Sequence, residues 1–141
     1  MGRLLTEIRD DPGVAALGIT VRVGEFAPGD LTKPFQRMVI LSKLGVRRFR
    51  GAPVQEVRVS ARCYGQGTTN NPQQAFQDAA RVYGAVSDAI HDVGPRLAAS
   101  GLGIFQSADA SGGSATKDPD TGQPYESMVI ELYATTQAVT L

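Results

Sequence analysis

The chain has 141 residues, the size of one domain built around one core. Hydrophobic residues make up 42% and charged residues 20%, an ordinary globular balance, and no apolar run approaches the ~18 residues that a membrane helix needs. Fourteen basic residues offset fourteen acidic ones, which argues against a free nucleic-acid binder and leaves little long-range repulsion to oppose self-association.

Leu4, Leu5 and Ile8 fall at helical spacing, with Glu7, Arg9 and Asp10 on the other side, so the chain opens on a short helix. Residues 1–6 also fit the loose myristoylation pattern, but that pattern is short and a helix start explains the same residues. No signal-peptide apolar segment is present, so an intracellular product is expected. Asp11-Pro12-Gly13 interrupts the helix, and Val14 to Leu17 continue as a helical turn.

Ile19 to Val23 alternates apolar and polar residues and reads as a strand. Residues 24–33 form a loop around Pro28, Gly29 and Asp30. Met38-Val39-Ile40-Leu41 is a continuous apolar run within a strand from Phe35 to Lys43, as expected of a strand covered on both sides. Leu44 to Gly51 is then a basic connection. The clearest alternation runs from Val54 to Tyr64, with Val57, Val59, Ala61 and Cys63 on one face and Arg58, Ser60, Arg62 and Tyr64 on the other.

After a loop at 65–70, Asn71-Pro72-Gln73-Gln74 is a strong helix start: Asn71 caps, Pro72 fits the first position and Gln74 completes a capping box. The stripe Ala75, Ala79, Val82, Val86, Ile90, Val93 carries the helix to Val93, about 33 Å, where Gly94-Pro95 should end it. Leu102 to Ala108 reads as a strand. Residues 109–124 form a long flexible loop, and Tyr125 to about Ala138 is the last strand. In that strand Met128, Ile130, Leu132 and Ala134 face one way, and Val129, Glu131, Tyr133 and Thr135 the other. The order α-β-β-β-α-β-β predicts a single α+β domain over residues 1–141. It has a mainly antiparallel four- to five-stranded sheet with two helices packed on one face.

Reactive chemistry is sparse. The single cysteine, Cys63, rules out an internal disulfide and a Cys-based metal cluster, and its place on an apolar strand face predicts a buried, inert thiol. The single histidine, His91, falls on the polar side of the long helix and reads as a solvated surface residue. Ser111-Gly112-Gly113-Ser114 with Thr116-Lys117 lacks the Gly-Lys-Ser/Thr of a phosphate loop and the helix that must follow it. Asp118-x-Asp120-x-Gly122 opens like a calcium loop, but Val129 stands where a bidentate Glu is required. A turn explains it, with loose cation binding by the two aspartates as the alternative. No catalytic residue, cofactor or metal is assigned.

The surface signals are two. Lys43, Arg47, Arg48 and Arg50, interleaved with Phe49, form a concentrated basic patch. It is a solvated hairpin tip, a protein interface in which arginines meet carboxylates, or a contact to DNA phosphates. An aromatic between arginines favours the interface. In the long loop, Gly112, Gly113, Ser114, Lys117, Asp118 and Asp120 are the matching interface candidates.

Several phrases carry a family resemblance: Leu4-Leu5-Thr6-Glu7-Ile8 leading to residues 11–17, residues 57–65, residues 80–91, residues 112–122, and Pro124-Tyr125-Glu126-Ser127. Together they resemble the tail terminator or tail completion proteins of long-tailed, non-contractile bacteriophages, above all those of actinobacterial hosts. The eleven arginines against three lysines fit a GC-rich host.

The resemblance implies a structural virion protein of the tail or neck, assembled in the host cytoplasm. Its homo-oligomeric ring, a hexamer, would cap the tail-tube protein, stop its polymerisation and dock the head–tail connector. DNA would pass through the channel without sequence-specific binding, and no membrane is involved. Two alternatives are another neck component and, from a different class, a small α+β ligand-binding domain or enzyme, for which only the Gly-rich loop speaks.

Overall fold

The computed structural model describes residues 2–25, 36–48, 51, 54–67, 71–99, 104–109, 116–118 and 122–135. Its elements are α1 (Gly2–Arg9), α2 (Pro12–Ala16), β1 (Thr20–Val23), β2 (Met38–Arg48), β3 (Val54–Tyr64), α3 (Pro72–Ala99), β4 (Ile104–Asp109), β5 (Thr116–Lys117) and β6 (Pro124–Thr135). The fold is α+β: one sheet in the order β1-β2-β3-β6-β4, with the short β5 on β6, and the helices on one face. No described helix is long and apolar enough to cross a membrane.

The centre of the sheet is the β3–β6 pair, antiparallel and in unbroken register from Val54↔Thr135 to Tyr64↔Tyr125. Every Val57, Val59, Ala61 and Cys63 side chain is at most 1% exposed, as the alternation predicted. Across the register they meet Leu132, Ile130, Met128 and Glu126. Val82, Val86, Ala89 and Ile90 of α3 close over this face, with Ile8 and Val14 of α1 and α2 at one side.

The sheet is mainly antiparallel, as expected, with one parallel pair among its described strands. β1 pairs parallel to β2, Thr20↔Met38 through Val23↔Leu41. A parallel neighbour needs a long return connection, and the stretch from Gly24 to Arg37 provides it. Helix breaking at Asp11 has a definite mechanism. The Asp11 Oδ2 accepts from the Gly13 N–H (3.0 Å) and the Val14 N–H (3.3 Å), Pro12 takes the first position, and α2 begins as a separate turn.

Three further boundaries differ from the sequence reading. The basic segment is not a connection: β2 runs through it to Arg48, with a bulge between Lys43 and Gly45. The 109–124 segment is not wholly structureless, because Thr116 and Lys117 pair with Tyr125 and Pro124. Finally, α3 does not stop at Gly94-Pro95 but continues to Ala99, about 42 Å in all. Pro95 cannot donate to the His91 carbonyl, a local cost, and α3 as a whole packs on β4 as well as on β3 and β6.

Candidate interaction surfaces

The β2–β3 hairpin carries the main patch. Its register places Val46 opposite Val57, Arg47 opposite Glu56 and Arg48 opposite Gln55, and Gly51, at φ +79°, serves the turn. The bulge leaves Leu44 without a cross-strand partner. Leu44 is 55% and Val46 45% exposed, beside the exposed Lys43 and Arg47. Leu44, Val46 and Arg47 border a shallow hollow of ≈ 260 Å³ completed by Gly45, Glu56 and Arg58. The exposed aliphatic pair and the cations beside it thus stand on the same strand.

A second, polar cleft of ≈ 370 Å³ lies where α3 starts, between Arg37, Gln66, Gly67, Gln74, Gln77, Asp78 and Arg81. Its centre is a fork-to-fork pair: Arg37 donates from Nε to Asp78 Oδ2 (2.9 Å) and from Nη2 to Asp78 Oδ1 (3.0 Å). The third donor, Nη1, reaches the Leu17 carbonyl at 3.0 Å, and the Gln66 N–H donates to Asp78 Oδ2 at 2.7 Å. Burial pushes the Asp78 carboxyl up, but the Arg37 and Gln66 donors and the positive charges of Arg37 and Arg81 outweigh it. The group is held below the usual carboxylate range. The same hydrogen bonds raise the Arg37 guanidinium further.

This pair ties α2, the start of β2, the 65–67 loop and α3 together. Sequence reading did not single it out, although one signal existed. Asp78 lies three residues after Ala75 and four before Val82, within the apolar arc of α3, where a charge demands a partner.

On the sheet face away from the helices, Met38, Ile40 and Tyr64 form a second small core beside Tyr125. The Tyr64 and Tyr125 rings stand 5.3 Å apart at 41°. The Tyr64 hydroxyl donates to Asp118 Oδ2 at 2.8 Å, and Arg62 Nη1 lies 3.7 Å from the same oxygen. Burial, then the carboxylate it bonds, pushes the Tyr64 phenol well up. Gln123 Nε2 donates to the carbonyls of Gln36 (3.1 Å) and Gly65 (2.9 Å). The turn itself closes by Gly122 N–H to the Asp118 carbonyl (2.8 Å) and Asp118 N–H to the Gln123 carbonyl (3.0 Å).

These placements sort the sequence candidates. Lys43, Arg47 and Lys117 are exposed, and Arg48 sits in β2 at the same hairpin. Asp118, by contrast, is 3% exposed, with its carboxylate accepting from Tyr64. Tyr64, assigned to the polar face, does lie on that face but is fully buried there, packed with Met38, Ile40 and Tyr125 and bonded to Asp118. Phe49, Arg50, Gly112, Gly113, Ser114 and Asp120 lie outside the described residues.

Cys63 is fully buried, and burial together with the nearby Glu126 carboxylate pushes its thiol far up, away from nucleophilic use. His91 is exposed, with Nδ1 2.7 Å from the Ser87 carbonyl, to which it donates. Among the described residues, no three His, Cys, Asp or Glu side chains converge on a metal-sized site. No protein-family model matches the chain, and no curated protein matches it significantly.

Proposed function

We propose that this is a structural virion protein whose ring, a hexamer by the resemblance, caps the tail tube of a long-tailed phage. In that role it halts tube polymerisation and presents the docking surface for the head connector. The observation that carries this reading is how the fold uses its polar side chains. Asp78, Arg37, Tyr64, Asp118 and Gln123 are each spent on holding one element to another. Cys63 is sealed inside, and His91 stands on an exposed helix face. Among the described residues, the hairpin exposes basic and aliphatic side chains together, the chemistry of a contact between proteins rather than of a reaction.

The resembling phrases also coincide with elements that organise the domain. Residues 11–17 are the Asp11-capped turn, residues 57–65 the central strand and its glycine, and residues 80–91 the core-facing stretch of α3. A connector-side neck protein is the nearest alternative, and the partner separates the two.

The test is to add the purified protein to polymerising tail-tube protein of the same genome and image the mixture by negative-stain electron microscopy. Capped, shortened tubes with six-fold rings in end views are the expected result. Tubes that grow to unchanged length with bare ends remove the terminator role and leave the connector side of the neck.

A further inference from the structure

The β2–β3 hairpin exposes aliphatic and basic side chains together. We infer that it docks head-to-tail onto the body of a second copy of this chain. Three observations converge on that occupant.

The first is apolar exposure. Leu44 and Val46 are two of the four large hydrophobic side chains standing out among the described residues. They lie together on one arm, around the ≈ 260 Å³ hollow.

The second is charge. Residues 43–50 hold four basic residues, Lys43, Arg47, Arg48 and Arg50, and no acidic one. That leaves ten basic against fourteen acidic residues in the rest of the chain, a net charge of −4. A second copy therefore offers an acidic body to a basic arm, with Asp10, Glu25 and Asp88 among its exposed carboxylates. The same charges disfavour the symmetric alternative. A two-fold contact of hairpin on hairpin would bring Lys43 and Arg47 of both copies together. A contact between two different patches remains, the kind that closes into a ring or runs on as a filament.

The third is the strand edge. β1 accompanies β2 only as far as Val23↔Leu41, and no described strand lies along β2 from Lys43 to Arg48 on that side. That stretch also carries the exposed Leu44 and Val46, so among the described residues a strand flank and its aliphatic side chains stand together.

This deepens the ring reading and rests on it only for closure of the contact. A photo-crosslinking residue at position 44 of the full chain, irradiated with and without tail-tube protein and mapped by mass spectrometry, tests it. Expected are adducts joining position 44 to an acidic region of another copy. Their yield should fall more than tenfold in L44D/V46D and K43E/R47E backgrounds whose melting curves match the wild type. Hairpin-to-hairpin adducts, or no inter-copy adduct under either condition, overturn the inference. Tubes capped equally well by L44D/V46D also overturn it, with the cap reading intact. Hairpin-to-body adducts beside uncapped tubes sustain the inference and remove the cap reading.

Discussion

Gly65 sits so close to the start of α3 that a Cβ built on it lies 2.2 Å from the Ala79 nitrogen and 2.3 Å from the Ala75 carbonyl oxygen. Both are backbone atoms of a helix and cannot move aside. Gly65→Ala should therefore destabilise the domain by about 3 kcal/mol, seen as a lower melting temperature. Gly84, on the same helix with open space at its Cβ position, is the contrast: Gly84→Ala should stabilise by roughly 0.5–1 kcal/mol. Equal shifts at the two sites would refute the close approach. Asp78 offers a second residue-level test, through pH. Its folded-state pKa is depressed, so its contribution is complete above the unfolded value of about 3.9 and is lost as pH falls through the lower folded value. Asp78→Asn should cost on the order of 2 kcal/mol at pH 7, and the gap to wild type in denaturant titrations should close below about pH 4. A gap that stays constant down to pH 2.5 would mean the carboxylate charge contributes nothing.

At the scale of elements, the informative piece is the β5–β6 turn. Two residues of strand are too short to hold themselves, and the turn is fastened instead by Tyr64 to Asp118 and Gln123 to Gln36 and Gly65. Tyr64→Phe keeps the ring stacked on Tyr125 and removes one donor from a buried carboxylate. It should cost about 1–2 kcal/mol, and amide exchange at Asp118 and Gly122 should quicken while the β3 amides stay protected. Uniform loss of protection would instead make Tyr64 part of the global core alone. Much at this scale was legible in the sequence. The 54–64 alternation marked β3 and its buried face, and Asn71-Pro72 marked the start of α3, where the Gln74 N–H approaches Asn71 Oδ1 at 3.4 Å. The end of α3 was not: Gly94-Pro95 is a local stop signal, and the helix runs past it to Ala99.

For the whole molecule, the proposed ring would need surfaces that serve assembly. The ring reading assigns a contact role to the segment between β4 and β5. Removing residues 111–115, and sparing Thr116 because it pairs with Tyr125, should leave the monomer's melting curve unchanged while tail joining fails in a complementation assay. Infectious particles at wild-type titre would remove that role. The basic patch was legible as composition. That Lys43, Leu44, Val46 and Arg47 form the flank of a β-hairpin, with aliphatic side chains between the cations, was not, since a run of arginines carries no strand period.

Hydrophobic period and turn chemistry are properties of neighbours in the chain. The sequence alone therefore determined the α+β class, the buried face of β3, the apolar stripe of α3 and the inert setting of Cys63. The parallel β1–β2 pair, the Arg37–Asp78 fork across 41 positions, the burial of Tyr64 with its bond to Asp118 and the close approach of Gly65 to α3 were decided by tertiary structure. Each joins groups far apart in sequence, and no local pattern encodes the partner: a charge or a hydroxyl on a strand or helix announces that it needs one, and only the packed chain supplies it.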